Sequence, residues 1–96
     1  RGVAVGIARV AHTLVEAAQL QPGEILVTPI TDIGWTPYFS LIGGLVTDLG
    51  SAVSHGAVIA REYGLPCVVN TRDGTRFFQS GDHIRLDGDK GTVEKL

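Results

Sequence analysis

The amino-acid sequence predicts a single α/β domain in which short strands and about three helices surround a mainly central sheet. Short runs of β-branched or apolar residues recur along the chain, and helix-start and helix-stop signals lie between them. Thirteen glycines among 96 residues supply turns and close backbone approaches. Strand and helix signals are mixed from end to end, which favours the α/β class.

The first strand and the first helix are predicted near the start of the chain. Residues Val3–Val10 are rich in β-branched side chains and predict a strand, in which Gly6 marks a bulge or a close approach. Thr13 and Glu16 match a capping box, in which each side chain accepts a hydrogen bond from the other residue's backbone N–H. A short helix should follow to about Leu20, stopped by the Pro-Gly pair beyond it.

The middle of the chain predicts two strands, the first of them buried, with a helix between them. Glu24–Thr28 is a continuous apolar run, typical of a strand buried on both faces. Thr36 is a suitable cap and Pro37 suits the first helical position, so Tyr38–Ile42 is predicted as a short helix. Leu45–Thr47 then forms a brief strand.

The clearest helix signal lies in the second half of the chain. Residues from about Ser54 to Tyr63 predict a helix, with Gly64 at its C-terminal stop and Pro66 soon after. A glycine-containing hairpin turn then joins the last two strands. The strands predicted after this helix are Cys67–Val69, Arg76–Phe78, His83–Leu86 and Thr92–Lys95.

Composition excludes several classes of protein. The net charge of −2 argues against a binder of duplex nucleic acid, which normally needs a surplus of Lys and Arg. The longest uncharged stretch, Ile33–Thr47, is below the ~20 residues that a membrane span needs. A single cysteine, Cys67, excludes an internal disulfide, lies in an apolar run and fits a reducing, cytoplasmic location. Because the chain contains no Met, we expect residues 1–96 to be one domain excised from a larger multidomain enzyme.

One segment, Thr47–Ala57, carries the strongest signal for chemistry. It places His55 in the first turn of a helix, where unpaired backbone N–H groups and a partial positive charge favour a phosphate group and a neutral imidazole. The pattern fits a histidine that accepts a phosphoryl group, whereas the spacing alone favours a partly buried histidine at a capped helix start. The accompanying hydroxyl donors are Thr47, Ser51 and Ser54, and the glycines that allow close approach are Gly50 and Gly56.

Other chemistry fits the sequence less well. Ser54 and His55 are adjacent at a helix start and do not face each other, so a hydrolase built on this pair lacks a positioned third residue. No metal site is predicted, because His12 and His83 are scattered and Cys67 stands alone.

Residues Gly44–Val69 resemble the signature of the mobile, swivelling phosphohistidine domain of phosphoenolpyruvate-utilising enzymes. The family, which includes phosphoenolpyruvate synthase, pyruvate phosphate dikinase and rifampicin phosphotransferase, has the pattern Thr-x-x-Gly-Gly-x-x-Ser/Cys-His-x-Ala, followed by Ala-Arg-Glu and Gly-Ile/Leu-Pro. The chain departs from it at Ser51, in place of the second glycine, and at Gly56, in place of the usual alanine. The matched positions are Thr47, Gly50, Ser54, His55, Ala57, Ala60–Glu62 and Gly64–Pro66.

The resemblance implies a β/β/α swivelling domain that carries a phosphoryl group on His55. Thr47 and Gly50 would lie in the loop that faces the phosphoryl group, together with Ser51 and Ser54, and Arg61 would anchor the helix to the sheet. The carrier would be a phosphotransferase domain that is inactive without its partners. It would shuttle between an ATP-grasp nucleotide domain and a domain for pyruvate, phosphoenolpyruvate or another acceptor, with Mg²⁺ held by those partners. The alternative is a degenerate module that serves only as a spacer or docking surface.

Overall fold

Six strands and four short helical segments build residues 2–96, the part of the chain that the structure, a computed structural model, describes. The strands are β1 (Val3–Val10), β2 (Ile25–Thr28), β3 (Gly44–Thr47), β4 (Cys67–Val68), β5 (His83–Asp87) and β6 (Thr92–Lys95). The helices are α1 (Leu14–Ala17), α2 (His55–Glu62) and α3 (Gly74–Phe77), and a 3-10 helix covers Ile33–Ser40. The mixed α/β class is thereby confirmed.

The strands form one sheet in the order β4-β3-β2-β1-β5-β6, with parallel pairs on one side of β1 and antiparallel pairs on the other. The second half of β1 pairs with β2, from Ala8 opposite Ile25 onward, and its first half pairs with β5. Gly6 lies directly opposite Ile84 in that ladder, so the strand has no bulge there. An added Cβ would instead lie 3.4 Å from the carbonyl oxygen of Gly23.

The sheet separates two apolar clusters because successive side chains of a strand point to opposite faces. Leu26 and Leu45 face the cluster that contains Trp35 and Phe39 from the 3-10 helix and Ala60 from α2. The alternate residues of β2 and β3 face the second cluster. That second cluster comprises Ala8, Ile25, Val27, Val46, Val68, Phe78, Ile84 and Leu86. Every residue of β2 is buried, as the continuous apolar run predicted.

The capping box before α1 is confirmed in one half only. The hydroxyl of Thr13 accepts a hydrogen bond from the N–H of Glu16 at 3.3 Å. The carboxylate of Glu16 accepts from the N–H of His12 at 2.6 Å, one residue earlier than the box requires. The regular helix also ends at Ala17 instead of near Leu20, and turn hydrogen bonds connect the remaining residues.

The helix predicted at Tyr38–Ile42 is wrong in type and in its start. A 3-10 helix begins at Ile33, where the side chain of Asp32 accepts a hydrogen bond from the N–H of Gly34 at 2.9 Å. Asp32 therefore performs the capping role expected of Thr36, and Pro37 lies inside the helix. The earlier start adds Trp35 to the segment, where it is buried together with Phe39, while Tyr38 is half-buried.

The strand predicted at Arg76–Phe78 is wrong, because this segment belongs to α3 and its end. The buried carboxylate of Asp48 accepts hydrogen bonds from the backbone N–H of Thr75, at 2.9 Å, and from its hydroxyl. These bonds fix the first turn of α3 against the residue that follows β3. Phe78 then reaches the second cluster, while Phe77 remains exposed.

The helix predicted near Ser54–Tyr63 is confirmed as α2. Ser54 is its N-cap residue, and the chain leaves the helix through Gly64, whose φ is +70°. The N–H of Leu65 donates to the carbonyl of Ala60 at 2.8 Å, the bond that typically closes a helix at a left-handed glycine. Among residues 2–96, no helix has the length and apolar character that crossing a bilayer would need.

Candidate functional site

His55 lies where the two central parallel strands end. It is the first residue of α2, and the neighbouring strands β2 and β3 end with Thr28 opposite Thr47. Two loops leave these strands, residues 29–32 after β2 and residues 48–54 after β3. The N–H of Asp48 donates to the carbonyl of Thr28 at 3.1 Å, and the N–H of Leu49 donates to that of Pro29 at 3.0 Å. The two loops are therefore fastened side by side around the histidine.

The imidazole of His55 is held between two threonine hydroxyls. Its Nδ1 lies 3.0 Å from Oγ1 of Thr31, and its Nε2 lies 3.4 Å from Oγ1 of Thr36. The ring of Phe39 packs edge-on against it, with 6.0 Å between ring centroids. Thr31 is only 5% exposed, whereas Thr36 and His55 are half-buried. The Nδ1 side of the ring therefore faces the protein interior through the shorter contact.

Sequence reasoning missed both threonines. Thr36 was expected to cap a helix, and Thr31 was not singled out at all. Thr31 is 24 residues from His55, in the loop after β2. The pairing of β2 with β3 brings the two together, so no local pattern could have indicated the contact.

Gly56 has a packing reason to be glycine. A Cβ at this position would lie 2.9 Å from Oγ1 of Thr31 and 3.0 Å from Cδ2 of Leu45. Both distances are shorter than side chains normally allow. The space beside Gly56 is thus filled by Thr31 and Leu45 and is not open to an anion, in contrast to the expectation from the sequence.

The hydroxyls of the 48–54 loop are engaged within the loop. Thr47 Oγ1 donates to the carbonyl of Leu49 at 2.7 Å, and Ser54 Oγ donates to the carbonyl of Ser51 at 2.8 Å. Ser51 Oγ accepts a hydrogen bond from the N–H of Val53 at 3.3 Å. Gly50 adopts a φ of +131°, which favours glycine, and a Cβ there would lie 2.9 Å from the Ser54 hydroxyl. The residues predicted to face a phosphoryl group therefore give the loop its shape.

Ser54 leaves the start of α2 without a side-chain cap. Its hydroxyl is directed to Ser51, and it makes no cap hydrogen bond to the first turn. Because the first N–H groups of a helix lack intrahelical partners, these donors remain directed toward the start of the helix, where His55 lies. The same geometry leaves Ser54 unpaired with the imidazole, which removes support from a serine hydrolase.

Arg61 contacts the loop before α2, whereas the sequence led us to expect a contact with the sheet. Its guanidinium donates to the backbone carbonyl of Ala52 at 2.7 Å. It therefore ties α2 to the loop that precedes the helix, not to the sheet.

The start of the loop 48–54 is also held by two residues that follow β4. The N–H and the hydroxyl of Thr71 both donate to the carbonyl of Thr47, at 3.1 and 3.0 Å, and Arg72 N–H donates to that of Asp48. These bonds, together with the Asp48–Thr75 pair, fix the position from which the loop starts.

Charge is scarce around His55. The sequence contains no Lys or Arg between Arg9 and Arg61, so neither loop has a basic side chain of its own, and the guanidinium of Arg61 reaches the loop after β3 at the carbonyl of Ala52. Over the described range 2–96, no three His, Cys, Asp or Glu side chains come together as a metal site would require. The site consists of one imidazole, threonine hydroxyls and backbone amides.

The fold and the site together indicate an α/β domain built around one histidine. That histidine begins a helix at the carboxyl edge of the parallel strands, between two loops that carry hydroxyl side chains. The family model described as "PEP-utilising enzyme, mobile domain" matches residues 20–91. The chain belongs to this family, which confirms the resemblance seen in the sequence.

Relatives match nearly the whole chain. It is 52% identical over 93 residues to the prodigiosin synthesizing transferase PigC of Serratia marcescens, covering 96% of this chain and 10% of that protein. It is 52% identical over 95 residues to the rifampicin phosphotransferase of Bacillus cereus, covering 99% of this chain and 11% of that protein. The chain therefore spans about a tenth of the length of these relatives.

A solved structure shares the fold. The solution structure of the Enzyme I protein nEIt superposes with a TM-score of 0.70 and 26% sequence identity, over 80% of this chain and 32% of that one.

Proposed function

We propose that this chain is a phosphoryl carrier and that His55 holds the phosphoryl group. The observation that carries the proposal is the 3.0 Å contact between Nδ1 and the buried hydroxyl of Thr31. We assign Nδ1 as the protonated nitrogen, donating to Thr31 Oγ1, and this assignment places the lone pair on Nε2. Nε2 is the nitrogen with the longer contact, 3.4 Å to Thr36, so it is the nucleophile.

The transfer is an in-line displacement at phosphorus. The Nε2 lone pair forms a bond to the phosphorus as the bond between phosphorus and the donor's leaving oxygen breaks, and that oxygen keeps the electron pair. Nδ1 keeps its proton, which remains shared with Thr31, so the ring takes up a positive charge beside the negatively charged phosphoryl oxygens. The uncapped amides at the start of α2 donate toward the phosphoryl oxygens, where negative charge is concentrated.

We further propose that the chain is one domain of a longer phosphotransferase. Support comes from family membership and from relatives that are about ten times longer, one of them named a phosphotransferase. The donor site would belong to an ATP-grasp nucleotide domain, and the acceptor site to a domain for pyruvate, phosphoenolpyruvate or another acceptor. Mg²⁺ would be held by those domains, since the residues around His55 offer no carboxylate cluster.

The test is to label the full-length protein that carries this chain with β-³²P-ATP or ³²P-phosphoenolpyruvate. We expect one acid-labile, alkali-stable phosphate, identified by NMR as phosphohistidine on Nε2. His55→Ala should abolish it, whereas His83→Ala, at the exposed start of β5, should leave it unchanged. Label that persists in His55→Ala would refute the carrier, and complete absence of label would favour the spacer module. Label on Nδ1 would refute the assigned nucleophile.

A further inference from the structure

Asp48 is a buried carboxylate that the proposed transfer step does not use. It is 8% exposed, and no Lys, Arg or His side chain within residues 2–96 forms an ion pair with it. Its two carboxylate oxygens accept hydrogen bonds from Thr75, one from the N–H at 2.9 Å and one from the hydroxyl at 2.5 Å. The shorter length is typical of a hydroxyl that donates to an ionised carboxylate. Because burying a charge without a cationic partner is costly, packing alone does not account for an aspartate here.

The backbone of Asp48 joins two further segments to the same residue. Its N–H donates to the carbonyl of Thr28 at 3.1 Å, and its carbonyl accepts from the N–H of Arg72 at 2.8 Å. Every polar group of Asp48 is therefore engaged. The three partner residues belong to three different parts of the fold, which are the end of β2, the turn at residues 70–72 and the start of α3.

The turn at residues 70–72 is backbone that disfavours the side chains it carries. Asn70 and Arg72 have φ values of +59° and +72°, in the left-handed region that is unfavourable for residues with a Cβ. Between them, the N–H and the hydroxyl of Thr71 both donate to the carbonyl of Thr47. Strained backbone of this kind persists where the surrounding contacts determine it, and it clusters at functional sites. The strained turn holds the end of β3, where the loop that leads to α2 begins.

Gly74 leaves the space in which Asp48 and Thr71 reach α3. A Cβ on Gly74 would lie 2.7 Å from Oγ1 of Thr71 and 3.2 Å from Oδ1 of Asp48. The first distance is shorter than side chains allow, and the second would force the carboxylate to shift. The carboxylate and the hydroxyl can therefore both occupy their places only because this residue is glycine.

We propose that Asp48, held by Thr75, is a positioning residue for the phosphorylation of His55. This proposal rests on the proposed function of His55 as carrier. The contact between His55 and Thr31 joins the two loops, since Thr31 lies in the loop after β2 and His55 follows the loop after β3. Asp48 fixes one loop against the other through its bond to Thr28. A shift at Asp48 therefore moves the imidazole relative to the hydroxyl that orients it, although Asp48 makes no hydrogen bond to the ring.

The test compares Thr75→Val with Thr75→Ser in the full-length protein that carries this chain. Valine keeps the shape of the side chain but cannot donate to Asp48, whereas serine keeps the hydroxyl. We expect kcat for phosphohistidine formation from β-³²P-ATP or ³²P-phosphoenolpyruvate to fall at least about tenfold in Thr75→Val. The KM for the donor should be unchanged, because the imidazole is displaced and the donor site is not. Thr75→Ser should keep most of the original rate.

Two further measurements separate positioning from stability. Glu24 precedes β2, at the end of the strand opposite to Thr28, and is paired with Arg9. Glu24→Gln should therefore lower the stability of the domain and leave kcat unchanged. Nitrogen-15 NMR of the imidazole should show a smaller share of the Nδ1–H tautomer in Thr75→Val, a change that loss of stability alone does not produce.

Asp48→Asn provides a second, milder variant. Asparagine keeps the size of the side chain and an acceptor for the N–H of Thr75, but a neutral amide holds the hydroxyl less strongly than a carboxylate. We expect it to slow transfer several-fold. The original rate in Thr75→Val, or in Asp48→Asn if Thr75→Val does not fold, would overturn the positioning role and leave the carrier intact, as would equal slowing in Glu24→Gln. If the unsubstituted protein forms no phosphohistidine, the carrier proposal falls and the positioning role falls with it.

Discussion

The hydroxyl oxygen of Thr31 lies 3.0 Å from Nδ1 of His55, and the missing Cβ of Gly56 leaves the space in which that hydroxyl sits. A buried threonine thus sets the orientation of the half-buried imidazole, and the residue after the histidine makes this arrangement possible. The orientation of the ring depends on packing between a loop and a helix that come from different parts of the chain.

Thr31→Val should slow phosphorylation of His55. Valine keeps the shape of the side chain but cannot accept the Nδ1–H. We expect the rate of phosphohistidine formation to fall about fivefold, since a net hydrogen bond contributes roughly 1 kcal/mol. Nitrogen-15 NMR should show a smaller share of the Nδ1–H tautomer, a change that a purely structural role would not produce. Thr36→Val, at the 3.4 Å contact, is the matched control and should have the smaller effect.

Gly56→Ala should destabilise the domain although alanine is the better helix former. The gain in helix propensity is about 1 kcal/mol, but the methyl group would press on Thr31 and Leu45, and overpacking costs about 1–3 kcal/mol. We expect a net loss of about 1 kcal/mol in the free energy of unfolding, measured in urea.

A double-mutant cycle shows which neighbour resists the added methyl group of Gly56→Ala. Thr31→Ala removes Oγ1, the atom nearest to the added methyl group. In the Thr31→Ala background, Gly56→Ala should therefore cost less, with a coupling of about 0.5 kcal/mol or more. Strictly additive losses would show that Leu45 alone resists the methyl group.

Glu24→Gln should lower the free energy of unfolding at neutral pH and should change it little in acid. Arg9 donates to both carboxylate oxygens of Glu24, at 3.0 and 2.9 Å. The hydrogen bond from Arg9 lowers the pKa of Glu24 from its ordinary 4.5, against burial, which raises it. With a folded-state pKa below the unfolded one, the pair stabilises the fold fully above about pH 4.5 and loses this effect as the pH falls through the folded value.

Urea titrations from about pH 7 down to about pH 3 would measure this dependence. The unsubstituted protein should exceed Glu24→Gln by about 1 kcal/mol at the upper end, and the difference should shrink toward the lower end. Glu94→Gln removes the exposed partner of Arg85 and should give a much smaller difference. A gap between the unsubstituted protein and Glu24→Gln that is independent of pH would contradict the assignment.

Cys67 should react slowly with thiol reagents in the folded protein. Burial raises the pKa of its thiol to about 11, and the thiolate is the reactive form. At about pH 7.5 its alkylation by iodoacetamide should be at least about a hundredfold slower than in the urea-unfolded chain, and it should accelerate as the pH rises. Equal rates in the folded and unfolded protein would show that the thiol is exposed and unperturbed.

Local patterns in the sequence predicted the strands of the sheet and α2, because those elements depend on nearby residues. The buried run of β2 and the left-handed exit at Gly64 are examples. The 3-10 helix and α3 were missed, since Asp32 competes with Thr36 as a cap and α3 depends on a carboxylate 27 residues earlier. His55 could be singled out by its position and motif, whereas Thr31 could not, because its contact with the ring exists only once β2 and β3 are paired.

The pairing of β1 with β5 has a consequence for how the chain folds. Val3 lies opposite Asp87, so every element that builds the surroundings of His55 belongs to the large loop that this ladder closes. Closing a loop of that length costs about 4 kcal/mol of chain entropy before the pairing of β1 with β5 can stabilise the fold. Folding should therefore be slow for a chain of this size. We therefore expect removal of the final hairpin, β5 and β6, to disrupt the surroundings of His55, although no residue of the hairpin contacts the imidazole.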